Sequence, residues 1–273
     1  MRMRNRRSLL TSALPIGLSA LAAACGPFNR VQSLLEPDDR EHLNVLADSS
    51  IAPTVPMLKR DFEQANPHVL LTIDLLPSGA ITKRVLGGKD FDAVILGGDS
   101  FGVPIVEAGK IKVGTMRPIA SNWLVIATAA EKPLEIQTPQ DLLQDEVKRI
   151  GIADWEDAAL GVYSRQSLEN LGLWGSLEGK RAKSKDEREL AGRLLDGKVD
   201  AALLYSSTSA ASDERIKVQA PVPEQSHRPI IYYFGIAQET KFPITISQFS
   251  KYLVSQWGQR HFETFGFRML NLR

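Results

Sequence analysis

Two short stretches carry residue types that could do chemistry without a charged side chain. One is Leu75-Leu76-Pro77-Ser78-Gly79-Ala80-Ile81-Thr82, and the other is Asp48-Ser49-Ser50 leading into Ala52-Pro53. Each follows an apolar run, Val69 to Leu75 or Leu43 to Ala47, and each opens an amphipathic segment. The pattern reads as strand, tight loop and helix start. The first N–H groups of a helix lack internal partners and lie at the positive end of its dipole, so such loops bind small anions. Gly79 allows close backbone approach, and Ser50 and Ser78 add hydroxyl donors. Alone, a serine here is most often an N-cap worth about 1 kcal/mol. Two facing one pocket would make an anion site built from donors only.

A second constellation competes. Gly98-Asp99-Ser100-Phe101-Gly102 fits G-x-S-x-G after the apolar run ending at Leu96, the setting of a hydrolase nucleophile. Ser100 would then be the nucleophile, with His227 or His261 as base. No His-Gly-Gly segment supplies an oxyanion hole, and Gly102 and Pro104 shorten the helix that should back the serine. No Cys/His/Asp/Glu cluster has metal-ligand spacing, and no phosphate loop of the form GxxxxGK[ST] is present, so neither metal nor cofactor is expected.

The elements that must position these loops alternate along the chain. Strands are expected at Leu43–Ala47, Val69–Leu75, Asp92–Leu96, Trp123–Thr128, Arg149–Ala153, Val199–Tyr205 and Ile230–Ala237. Helices are expected at Pro53–Ala65, Ala80–Leu86, Val103–Ala108, Gly161–Leu171, Asp186–Leu195, Ile244–Gln256 and Gln259–Phe265. Thr138-Pro139-Gln140-Asp141 reads as a capping box with proline at the first helical position. This alternation predicts an α/β fold with mostly parallel sheets, whose ligands sit beyond the carboxyl ends of strands. Both serine loops lie there. No internal repeat is visible.

The 273 residues suffice for two lobes with real cores. The hydrophobic share of 43% and charged share of 24% speak against disorder. The net charge is +1, but Arg2, Arg4, Arg6 and Arg7 carry four of the positive charges. Without residues 1–24 the chain has 29 basic and 32 acidic residues, which disfavours nucleic acid as a partner.

The N-terminus has the layout of an export signal. Arg2 to Arg7 is a basic region, and Leu9 to Ala24 is a short apolar stretch broken by Pro15 and Gly17. It ends in Ala22-Ala23-Ala24-Cys25-Gly26, which resembles the lipobox of bacterial lipoproteins, although Ala22 stands where that motif usually has leucine. The resemblance implies cleavage before Cys25 and lipid on its sulfur. Cys25 is the sole cysteine, so no disulfide can form within the chain. Arg6-Arg7-Ser8-Leu9-Leu10 also resembles a loose twin-arginine signal. Residues 25–41 read as a tether.

Over most of residues 43–267 the chain resembles the molybdate-binding proteins of ABC importers, of the type II periplasmic binding fold. The pieces that carry the resemblance run in order. They are Val45-Leu46-Ala47-Asp48-Ser49-Ser50; Pro77-Ser78-Gly79-Ala80-Ile81; Phe91-Asp92-Ala93-Val94-Ile95; and Asn122-Trp123-Leu124-Val125. Then come the run from Gly161-Val162-Tyr163 to Gly172-Leu173-Trp174, Gly197-Lys198-Val199-Asp200-Ala201-Ala202-Leu203-Leu204-Tyr205, Pro229-Ile230-Ile231-Tyr232-Tyr233 and Phe265-Gly266-Phe267. The resemblance implies a small tetrahedral oxyanion, molybdate or tungstate first, held by Ser50, Ser78, the backbone N–H groups of Leu160 and Glu187, and the Tyr205 phenol. A fully deprotonated oxyanion has only acceptors, so a donor-only pocket suits it.

Several residues depart from the family pattern. Asp48 stands where alanine is typical, Leu160 replaces a small residue, Glu187 an apolar one, and Thr208 an aspartate. A carboxylate turned inward would repel a dianion or accept a proton from a protonated anion. Without the resemblance, Glu187 reads as an exposed acid at a helix start. The resemblance implies a monomeric, lipid-anchored, extracytoplasmic binding protein that is not an enzyme and that serves an ABC permease with its ATPase. Its first lobe is expected at 42–121 and 236–273 and its second at 122–235, with hinge strands near Asn122 and Tyr233. The alternatives are the same fold with a changed or lost ligand, as in a sensor, and a serine hydrolase using Ser100.

Overall fold

The computed structural model describes residues 39–211 and 214–269. The expected signal peptide, Cys25 and the tether up to residue 38 lie outside the described residues.

Two five-stranded sheets share the chain. The first contains β1 (Glu41–Asp48), β2 (Val69–Leu76), β3 (Ala93–Gly97), β4 (Arg117–Asn122) and β10 (Ile230–Ile236), in the order β2-β1-β3-β10-β4. The second contains β5 (Leu124–Ala129), β6 (Ile150–Ala153), β7 (Arg181–Ser184), β8 (Ala201–Tyr205) and β9 (Ile216–Pro221), in the order β7-β6-β8-β5-β9. Both follow one plan. A central strand pairs in parallel with two neighbours, one reversed strand adds to them by antiparallel pairing, and an edge strand pairs antiparallel with that one in turn. The sheets are therefore mixed, where the alternation predicted mostly parallel pairing. The strand entered after each crossing, β5 in the second sheet and β10 in the first, runs against the parallel set. The common plan leaves no repeat in the sequence, because pairing order is a property of the backbone.

The parallel strands carry the apolar runs. β3, β6 and β8 are buried at every residue, as strands covered on both faces require. The helices that cover them are α1 (Val55–Ala65), α2 (Ser78–Leu86), α3 (Val103–Glu107), α4 (Ala159–Asn170), α5 (Glu187–Leu195), α6 (Ser206–Ala210), α7 (Pro243–Val254) and α8 (Gln256–Thr264). Leu58 and Phe62 of α1 lie one turn apart and are both buried, Phe62 against Phe249 of α7. Asn66 ends α1, its side-chain amide donating to the Phe62 carbonyl at 2.8 Å, and Pro67 prevents continuation.

Some expected elements shift. Ser49–Thr54 forms a 3₁₀ turn ahead of α1, so the expected helix from Pro53 begins at Val55. The capping box at Thr138 is formed, but it opens only the 3₁₀ turn Pro139–Leu143. Strands β4, β7 and β9 and the short helix α6 were not expected. β4, β7 and β9 lie at sheet edges, where strands are short and partly polar. The chain leaves the first sheet at Trp123 and returns between Pro221 and Ile230. All of β10 belongs to the first sheet, which corrects the expected crossing near Tyr233. Tyr233 pairs there with Leu96 and Pro118.

Candidate functional site between the two sheets

The carboxyl ends of β1, β3 and β8 point at one buried place. From the first sheet come Asp48, the last residue of β1, and the turn that follows it. Ser50 turns back so that its N–H and Oγ both donate to Asp48 Oδ1, at 3.0 and 2.6 Å. Ser78, the first residue of α2, donates its Oγ to the other oxygen of Asp48. The same Oγ accepts from the N–H of Gly97, which ends β3, at 2.9 Å. Tyr232 of β10 closes the group, with its hydroxyl 2.7 Å from Ser50 Oγ. The donors that the sequence marks for an anion thus already hold one, the carboxylate of Asp48.

The second sheet contributes a different half. Glu187 opens α5, and Asp186 caps that helix by accepting from the Glu189 N–H at 2.9 Å. The Glu187 side chain is only 5% exposed, which corrects its reading as an exposed helix-start acid. Its Oε1 accepts one long bond, 3.4 Å, from the Tyr205 N–H, and its Oε2 has no partner. The Tyr205 hydroxyl is also buried without a partner. Leu160 is the second residue of α4, within the first turn, where N–H groups lack intrahelical acceptors. Gly161 permits this tight start, because a Cβ there would sit 2.3 Å from the Asp154 carbonyl oxygen.

The halves meet over the site. The Gly79 N–H donates to the Asp157 carbonyl at 2.8 Å, and Lys83 pairs with the Asp157 carboxylate at 2.6 Å. Gly98, at φ 101°, lies where a Cβ would touch the Tyr163 hydroxyl. As a result Asp48, Ser50, Ser78, Leu160, Glu187, Tyr205 and Tyr232 are all buried.

Electrostatics follow from that burial. Loss of water pushes the Asp48 carboxyl up, and its bonds from Ser50 and Ser78 pull it back. Burial pushes Glu187 well above the usual carboxylate range, and the Asp48 charge adds to the rise. Among the described residues, no cation lies within ion-pair distance of either. Asp48 has three donors and Glu187 one long one, so of the pair it is the Glu187 carboxyl that is pushed further up. Burial also holds the Tyr205 and Tyr232 phenols far above their ordinary value, leaving both as O–H groups.

The structure therefore brings Ser50, Ser78, Leu160, Glu187 and Tyr205 into one region. It turns both departing carboxylates inward. Sequence reasoning missed Tyr232 as a polar group of the site. The sequence Ile230-Ile231-Tyr232-Tyr233-Phe234 carries no alternation that singles out Tyr232; its burial beside half-buried Tyr233 is a property of the fold. The hydrolase constellation does not assemble. Ser100 is exposed, His227 Nδ1 lies 2.8 Å from the Arg228 carbonyl, and His261 Nε2 lies 2.8 Å from Asp61. A groove of about 620 Å³ near His42, Lys89 and Lys110 lies at the opposite ends of the strands, away from both serine loops.

The family model described as bacterial extracellular solute-binding protein matches residues 43–268, nearly the whole folded region. The chain belongs to this family. Its two-sheet architecture is the type II periplasmic-binding fold, and the buried polar cluster described above lies where the two sheets of this solute-binding protein meet. The chain is 24% identical over 265 residues to YvgL of Bacillus subtilis (strain 168), covering 97% of this chain and 99% of YvgL. YvgL carries the provisional name of an ABC transporter substrate-binding lipoprotein. It is 23% identical over 235 residues to the molybdate-binding protein ModA of Escherichia coli (strain K12), covering 84% and 90% of the two chains. The periplasmic molybdate-binding protein of Azotobacter vinelandii superposes with a TM-score of 0.75 at 18% identity, covering 84% of this chain and all of that one.

Proposed function

We propose that this solute-binding protein is the capture component of an ABC importer, held outside the cytoplasm by lipid on Cys25, and that it takes up a small tetrahedral oxyanion. Molybdate and tungstate are the first candidates. One observation carries the reading. Two serine hydroxyls, two buried phenols and the start of α4 converge on a region closed between the sheets, with no cation beside it. Such a region recognises an anion by hydrogen bonds rather than by net charge. The names of YvgL and ModA agree with it. Each lobe supplies part of the donor set, so closure about Trp123 and the segment between Pro221 and Ile230 completes the site. A monomer suffices for this, with permease and ATPase as partners and no catalytic step.

The occupation of the serines by Asp48 favours a second reading, in which the fold serves as a sensor with a changed or lost ligand. Calorimetric titration of the detergent-purified full chain with molybdate, tungstate, sulfate, phosphate and an organic carboxylate separates the two. A one-to-one complex with molybdate or tungstate is the expected result. Silence toward every oxyanion overturns the first reading in favour of the second.

A further inference from the structure

The oxyanion reading leaves one group unaccounted for. Asp48 is a carboxylate, itself an oxyanion, and it sits on the donors an incoming anion needs. Its Oδ1 takes the N–H and Oγ of Ser50, and its Oδ2 takes the Oγ of Ser78. The side chain is 4% exposed, so water cannot take over these bonds while the halves are closed. A solute that claims the two serines must displace the carboxylate into a region without a counter-ion.

The surroundings decide what happens to it there. From α5, the buried Glu187 faces Asp48, with Asp186 just before it. From β8, β10 and α4 come the Tyr205, Tyr232 and Tyr163 phenols, which stay protonated in this environment. From the 3₁₀ turn and α2 come the serines themselves, and β3 offers only backbone at Gly97. Lys83, on α2, is engaged by Asp157. Among these groups no free cation is present to neutralise a displaced Asp48 carboxylate beside a dianion. Placing two negative groups together in a closed, poorly hydrated space is costly, and the less costly course is to neutralise one of them with a proton.

We propose that the site takes its oxyanion together with a proton, and that Asp48 is the residue that imposes this requirement. A dianion such as molybdate or tungstate displaces Asp48 from Ser50 and Ser78, and a proton from solvent passes to the Asp48 carboxylate. An anion that carries its own hydroxyl, such as hydrogen phosphate, donates that hydroxyl to Asp48 and brings the proton with it. The unpartnered Glu187 Oε2 and Tyr205 hydroxyl fit the same scheme. A neutral Glu187 acid and a phenol each offer an O–H to a bound anion. Asp48 thus sets specificity: the pocket discriminates among anions by the proton they bring or draw, in addition to their size.

This inference rests on the oxyanion reading, and one experiment can fail them separately. The full chain is titrated with molybdate by calorimetry at several pH values, in buffers of differing ionisation heat, which reports protons taken up per anion bound. The expected result is uptake of about one proton and affinity falling about tenfold per pH unit above neutrality, the slope for one linked proton. Asp48→Asn removes the titrating group at constant size. It is expected to lower the uptake by about one proton and to flatten the pH profile. Asp48→Ala provides a second variant should the amide disturb the turn. Binding by the unsubstituted protein without proton uptake, or uptake unchanged in both variants, overturns the proposal and leaves the oxyanion reading standing. If neither the unsubstituted protein nor the variants bind molybdate, tungstate, sulfate or phosphate at any pH, both fall together.

Discussion

The two halves of the site differ in how far their polar groups are satisfied. On the first-sheet side the two oxygens of Asp48 and the hydroxyls of Ser50, Ser78 and Tyr232 all have partners among themselves or with Gly97. On the second-sheet side, Glu187 Oε2 and the Tyr205 hydroxyl have none. Buried polar groups are rarely left unpaired, and the two on this side face the cluster around Asp48 on our proposed reading of the site. The first half is preorganised around an internal stand-in. The second, on the proposed reading, offers its open hydrogen-bonding atoms to a solute.

Breaking the contact between halves should have the largest effect. The Gly79 N–H reaches the Asp157 carbonyl, and a Cβ at 79 would lie 2.7 Å from that oxygen and 2.8 Å from Asp157 Cα. Both are backbone atoms that cannot yield cheaply. Gly79→Ala is expected to keep the fold but hold the lobes apart, weakening anion binding by about a hundredfold, since about 1.4 kcal/mol is lost per tenfold and several bonds depend on closure. Calorimetry reads the affinity, and small-angle scattering with and without anion reads the closure. A variant that closes normally would mean that the contact at Asp157 does not define the bound state.

Removing one donor from the satisfied half comes next. Ser78→Ala deletes the hydroxyl that joins Asp48 to Gly97 and is expected to weaken oxyanion binding about tenfold or more, from about 1.5–3 kcal/mol for a bond to a charged group. Unchanged affinity would remove Ser78 from the ligand set and leave it as a brace for Asp48 alone.

The smallest effect should come from the unsatisfied half, and it depends on pH. Burial raises the Glu187 carboxyl well above its unfolded value. The folded state therefore binds a proton that the unfolded state has released, and stability falls as pH rises from the ordinary carboxylate range toward the raised one. Glu187→Gln carries no such proton. Its melting temperature, relative to the unsubstituted protein, is expected to be higher at pH 8 than at pH 5 by a few degrees, because about 1 kcal/mol moves Tm by roughly 2–4 °C in a domain this large. An identical pH profile for both proteins would show that Glu187 is ionised in the fold, and that the contrast between the halves lies elsewhere.

Much of this was legible in the sequence because it is local. The apolar run into Ser78-Gly79, the helix start at Asp186-Glu187 and the tyrosine ending Val199–Tyr205 each depend on a few neighbouring residues, and each is found within two residues of where it was expected, with Asp186 as cap rather than first helical residue. Strand and helix periods, and the carboxyl-end position of both serine loops, follow from side-chain spacing alone. The tertiary structure decided the rest. Whether Asp48 faces water or a serine thirty residues further along the chain depends on how β1, α2 and β3 are placed side by side. Tyr232 meets Ser50 across 182 positions of sequence, and β10 joins the first sheet because antiparallel pairing with β3 and β4 satisfies its backbone there. The inward turn of Glu187 reverses what a charged residue at a helix start ordinarily does. A residue's type sets what it can donate or accept. Only the assembled fold determines which partner is within reach, and whether water remains to compete.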